Sequence, residues 1–260
     1  MVESDLPFIL FEVANQDLRA AKILYSNECY PQAVFYLEQA VEKATKAWAL
    51  RRGIIAESEL KRKGGKGVGH YTWEVYGKLA KLVDDKVIEK ILENIHKMNN
   101  EHEHKISKEF SPLLNIILNQ ELDIDQLREL GFNDDSLESW LYFAGFLLEF
   151  NTNVKLVIQE EASTCPLEVK SHVEFLVNSH PELANKLLDL VSYMTSNLIL
   201  LVLSLLLTPH VAISRYPEGE YGPQSYTKNA PIIQKFPDLV ELVKGSFELL
   251  EGFFEEEEVR

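Results

Sequence analysis

Cysteine is almost missing from this chain. Cys29 and Cys165 are the only two in 260 residues, too few for a disulfide scaffold and in keeping with free thiols in a reducing compartment. The first five residues, Met1-Val2-Glu3-Ser4-Asp5, lack the basic stretch that opens a secretory signal, so the expected location is cytoplasmic. Positive charge is in the minority, with 26 Lys+Arg against 41 Asp+Glu and a net charge of -15. That balance excludes a protein that coats nucleic acid through overall basicity. A membrane span needs about 20 mostly apolar residues. The nearest approach, residues 198–207, is shorter, follows Asp189, Ser192, Thr195, Ser196 and Asn197, ends before Pro209 and has no flanking Lys/Arg cluster. It is expected to be a buried bundle helix without membrane contact. Alternating apolar and polar runs bounded by turn residues, the mark of strands, are absent as well.

Apolar residues make up 46% of the chain, enough at this length for a sizeable core, and they recur at helical spacing. Phe11, Ala14, Leu18, Ala21 and Tyr25 form one stripe at steps of three and four, and Ala33, Leu37, Ala40, Ala44 and Trp48 form the next. Pro31 stands where a first-turn proline belongs, so the two stripes read as an antiparallel hairpin whose alanines let the backbones approach closely. Trp73, Tyr76, Ala80 and Val83 give a third stripe. Phe236, Val240, Val243, Phe247, Leu250 and Phe254 give a last one, followed by a solvated acidic end at 255–258. Between them, helices are expected at 85–98, 136–160, 166–178 and 181–207. Glycine and proline gather at 64–69 and 209–223, which read as loops.

Four pieces of this pattern resemble the HEPN domains, the higher-eukaryote and prokaryote nucleotide-binding family. They are Ala14, Asp17-Leu18 and Ala21; then Tyr30, Ala33, Phe35 and Gln39-Ala40-Val41-Glu42-Lys43-Ala44 with Lys46; then Gly69-His70-Tyr71; and finally Ser214-Arg215-Tyr216-Pro217. The resemblance spans about 7–84 and 210–257. It implies an all-α, up-and-down helical bundle, formed here by residues 1–84 and 210–260; the intervening 85–209 departs from a compact domain of this family and, being helical in pattern, is expected to be a helical insertion packed on the same bundle. It also implies a homodimer that deals with nucleotides or RNA, in some members as the companion of a small nucleotidyltransferase in a toxin–antitoxin pair.

Many members of the family cut RNA with an Arg, four to six residues and then a His. None of Arg19, Arg51, Arg52, Arg62, Arg128 or Arg215 has a histidine at that distance, and Arg62 and His70 have seven residues between them. Lys97 and His102, with four between, are the catalytic candidates for an endoribonuclease that needs no metal. Histidine would take the ribose proton and lysine would meet the phosphorane charge, although lysine lacks the bidentate fork of arginine. The ordinary reading of the pair is a solvated helix end.

For ligand binding the candidates are Arg215, Tyr216, Lys43, Lys46, Lys66 and His70. Arg215 suits a bidentate phosphate contact and Tyr216 can stack on a base. The structural alternative is an Arg215 paired with Glu38 or Glu42 and a Tyr216 covering the bundle edge. Lys66 and His70 belong to the basic glycine-rich stretch 61–70, whose N–H groups could wrap an anion, but Lys66 is followed by Gly67 and no strand precedes, so it is not a P-loop. Lys43 and Lys46 read more simply as solvated helix positions.

No metal and no cofactor are expected. The pairs Glu93/His96 and Glu101/His104 stand eight residues apart on one helix, about 12 Å along its axis, too far to share an ion. The function expected is a nucleotide- or RNA-associated module without robust catalysis. The alternatives are a toxin-type endoribonuclease with a degenerate Lys97/His102 site, or a structural dimer or partner-binding protein.

Overall fold

The computed structural model describes residues 6–61, 68–70, 72–80, 134–159, 179, 181–217 and 221–255. Eight helices run through them. These are α1 (Leu6–Ser26), α2 (Tyr30–Arg51), α3 (Trp73–Ala80), α4 (Asp134–Gln159), α5 (Pro181–Leu207), α6 (His210–Ile213), α7 (Pro231–Gln234) and α8 (Phe236–Glu255). Two single 3-10 turns, Glu57–Glu59 and Pro223–Ser225, supplement them, and no β-strand occurs among the described residues. The chain is all-α. The helices expected at 85–98 and 166–178 lie outside the described residues.

Small side chains decide how the first two helices meet. Ala14 and Ala21 of α1, and Ala33, Ala40 and Ala44 of α2, are all fully buried, and α1 against α2 is the most extensive helix pair among the described residues. Alanine buries no polar group and loses no side-chain entropy, so a seam of alanines brings two helices close at little cost. A three-residue link turns the chain. There Glu28 takes a left-handed φ of 59°, the Cys29 N–H bonds back to the Leu24 carbonyl, and Pro31 sits in the first turn of α2.

Larger residues close the bundle. α8 lays Phe236, Val240, Val243, Phe247, Leu250 and Phe254 inward. Phe11 of α1 stacks on Phe254 at 4.5 Å, and Tyr25 stacks on Phe236 at the same separation. The apolar run anticipated as a core helix is the second half of α5, where Ile199 through Leu203 and Leu205 through Leu207 are buried. By length and composition α5 could cross a membrane; in the structure it packs against α8, α4 and α2. One of its buried polar residues, Ser196, is matched across the helix pair. The Ser196 hydroxyl donates to the Ser246 carbonyl at 2.9 Å, and the Ser246 hydroxyl donates to the Ser196 carbonyl at 3.2 Å. Two small residues thus join α5 to α8 with satisfied hydrogen bonds. α4 reaches the same layer, where a Cβ at Gly245 would stand 2.9 Å from Leu148 Cδ1.

Candidate functional site

Helix α2 carries an unusual face. Phe35, Gln39, Glu42 and Lys46 follow at steps of four, three and four, so they lie in one row, with Glu38 beside them. Glu38, Glu42 and Lys46 are buried, although charged residues are rarely buried without partners. The partners form a chain along the helix. Lys43 Nζ pairs with Asp17 of α1 and donates to Gln39 Oε1 at 3.1 Å. The Gln39 amide donates in turn to Glu38 Oε2 at 2.8 Å and to Glu42 Oε2 at 3.1 Å. Lys46 Nζ holds Glu42 Oε1 at 2.5 Å. His70, on the short turn before α3, places Nδ1 2.5 Å from Glu42 Oε2.

The two carboxylates therefore live in different surroundings. Burial pushes the Glu38 carboxyl well above its usual range, and the nearby charge of Glu42 pushes it further. Burial works on Glu42 too, but the hydrogen bond from His70 and the charge and hydrogen bond of Lys46 outweigh it, and hold that carboxyl below its usual value. With Nδ1 directed at a buried carboxylate, the His70 ring is oriented with Nε2 outward. Its side chain is 52% exposed, and the arrangement is that of a carboxylate-oriented histidine.

The second cationic point enters from far along the chain. The turn after α6 sets Arg215 against the first half of α2, where its guanidinium lies 4.8 Å from the centre of the Phe35 ring and 5.5 Å from that of Tyr216. Nε donates to the Val211 carbonyl at 3.0 Å, which fixes the plane of the group. Among the described residues Arg215 has no carboxylate partner; Glu42, one of the two anticipated for it, is held by Lys46 and His70. Tyr216 is 64% exposed. Phe35 and Glu42 stand seven positions apart on one helix face, so the Arg215 turn and the His70 turn approach α2 about 10 Å from each other.

Of the sequence candidates, the structure thus brings Lys46 and His70 together on Glu42 and sets Arg215 and Tyr216 two helical turns away. Lys43 is engaged by α1. Lys66, Lys97 and His102 lie outside the described residues, as do the two Glu-x-x-His pairs. Glu38 was read from sequence only as a partner for Arg215. What marks it is its position four before Glu42, which puts two carboxylates on one face of the helix, a signal the 3.6-residue period carries.

No curated protein and no solved structure matches the chain. The HEPN domain family model matches residues 9–111, a span that takes in the α1–α2 hairpin, the His70 turn and α3 and leaves out the Arg215 segment. The alanine-seamed hairpin, the Gln39-to-Lys46 face and the His70 turn closing on it are the part of the fold that this match covers, and it is residues 9–111 that match the HEPN domain family.

Proposed function

We propose that the chain is a nucleotide- or RNA-associated module that holds a phosphate-bearing ligand at Arg215. A HEPN domain is consistent with nucleotide- or RNA-associated function. The observation that carries the finer reading is the state of Arg215, a guanidinium stacked on Phe35, tied at Nε, exposed, and without a carboxylate partner among the described residues. Its remaining N–H groups are oriented before any ligand arrives, and arginine's planar fork matches phosphate oxygens in pairs. Tyr216 beside it offers an exposed ring on which a base can stack. Lys43 and Lys46 contribute little attraction, because each is already neutralised by a carboxylate. A net charge of -15 repels polyanions at long range, but that repulsion is screened beyond about 8 Å at physiological salt, so a local contact can hold a nucleotide or a short RNA.

The test is calorimetric titration of nucleotides and a short single-stranded RNA into wild type, Arg215→Ala and Arg215→Lys, with a melting curve for each. A charge-assisted bond of about 1.5–3 kcal/mol predicts a ten- to hundredfold weakening in Arg215→Ala at about 1.4 kcal/mol per decade, with partial recovery in Arg215→Lys and nearly constant melting points. No binding by wild type, or a steep loss of stability in Arg215→Ala, refutes the assignment.

A further inference from the structure

Glu38, Glu42 and His70 each offer one ligand atom, and the three atoms lie within 4.8 Å of one another. We propose that these three side chains form a binding site for a first-row divalent cation of the Zn2+ or Mn2+ kind.

Ligand chemistry selects the class of ion. One imidazole nitrogen suits borderline Zn2+ and two carboxylate oxygens suit both Zn2+ and the harder Mn2+, whereas Ca2+ takes oxygen ligands and Mg2+ keeps much of its water. The environment supplies the second argument. Glu38 is only 2% exposed, yet among the described residues it accepts a single hydrogen bond, from the neutral Gln39 amide to Oε2, and has no ion pair. A carboxylate so deeply buried usually carries more partners than that. The one buried ammonium, Lys46, is paired with Glu42 and leaves Glu38 without a cation of its own among the described residues. Lys46 is bound to Oε1 of Glu42, which leaves Oε2 on the side of His70 and Glu38.

The surroundings fit a metal centre in two further respects. Gln39 donates to both carboxylates and Lys46 grips one of them, which is how outer-shell groups fix the orientation of metal ligands. His70 sits half in solvent, so the ion has a route in, and three protein ligands leave coordination positions for water or an incoming ligand. On binding, the imidazole nitrogen exchanges its hydrogen bond to Glu42 for coordination, and any proton held by Glu38 passes to solvent.

Chelator-treated full-length protein titrated by calorimetry with Mn2+, and separately with Zn2+, tests the site in wild type, Glu38→Gln and His70→Ala. The expected result is saturable uptake of one equivalent by wild type, with affinity reduced about tenfold or more in each variant, the scale seen when a metal's supporting groups are lost. Melting curves without metal accompany the titrations, and added metal should raise the wild-type midpoint but not that of either variant. His70→Ala removes a half-exposed side chain, so it keeps the test valid if Glu38→Gln does not fold. Absence of saturable binding by wild type up to about 1 mM cation, or equal affinity in wild type and folded variants, overturns the proposal; the first leaves Glu38 as a buried carboxyl that binds no ion, and the second sends the ion elsewhere on the acidic surface. No nucleotide is present in these titrations, so the outcome is independent of the role assigned to Arg215.

Discussion

Replacing Glu42 by Gln tests the architecture of the α2 face most directly. The substitution keeps the shape of the side chain and an acceptor oxygen but removes the charge that Lys46 and His70 both address. Lys46 and Glu42 are each 8% exposed at the side chain, so the ammonium that remains cannot turn to water. Removing one partner of a buried pair typically costs 3–5 kcal/mol. The retained amide oxygen lowers that figure, while the lost contact to half-exposed His70 adds at most about 1 kcal/mol. We expect a loss of about 3 kcal/mol, or roughly 6–12 °C in thermal midpoint for a chain of this size. Urea unfolding of Glu42→Gln, Lys46→Met and the double variant closes a double-mutant cycle. The double variant should be less damaged than the two single losses predict, by about 1–3 kcal/mol, because no lone buried charge is left. The pH dependence has a definite sign. Despite burial, the hydrogen bond from His70 and the charge of Lys46 hold the folded Glu42 carboxyl below its usual value. The ionised group therefore contributes stability that is present above the unfolded carboxylate pKa and is lost as pH falls through the folded value. In chelator-treated protein, the advantage of wild type over Glu42→Gln should be full near neutrality and fade below about pH 4. A cost under about 0.5 kcal/mol, or strict additivity in the cycle, would refute the reasoning.

Further expectations concern the core, the glycines, catalysis and assembly. Phe247, 2% exposed and tilted against Phe11 at 5.4 Å, should cost about 3–5 kcal/mol when cut to Ala, and a loss below about 1 kcal/mol in urea unfolding would mean that α8 is not seated on α1 as described. Gly252→Ala, on an exposed helical turn with nothing within 4 Å of the new methyl group, should stabilise by about 0.5–1 kcal/mol, whereas Gly53→Ala, at a φ of +66° just beyond α2, should destabilise by about 1–2 kcal/mol. Because no arginine stands at the nuclease spacing, purified protein should leave single-stranded RNA intact; cleavage abolished by His102→Ala would instead make Lys97 and His102 the site. Sedimentation should give about twice the chain mass of 29.8 kDa if the exposed α5 residues Leu183, Leu187, Leu190 and Met194 meet a second copy, and monomer mass across a wide concentration range would count against that assembly.

The helices were legible in the sequence wherever apolar residues kept a period of three and four. The stripes from Phe11 to Tyr25, from Ala33 to Trp48 and from Phe236 to Phe254 each form a helix with that stripe turned inward, and the alanine spacing alone announces the close α1–α2 seam. Helical periodicity is local, set by backbone geometry over a few turns, so a single sequence is enough to read it. The same reading put residues 198–207 in the core, because the run was too short and too poorly flanked for a bilayer. The partners of the charged groups were not legible. Glu42 could have met Arg215, Lys46 or none; the fold gave it Lys46 one turn away and His70 from 28 residues on. For Arg215 the sequence leaves a phosphate contact and a carboxylate partner both open, and tertiary packing gives it the ring of Phe35, 180 positions earlier in the chain. Helix period fixes which residues share a face, but which turn folds onto that face depends on how the loops close and how the bundle packs. With 41 acidic residues available to 26 basic ones, Coulomb attraction alone selects no particular pair, and the choice falls to the burial and geometry that only the tertiary structure imposes.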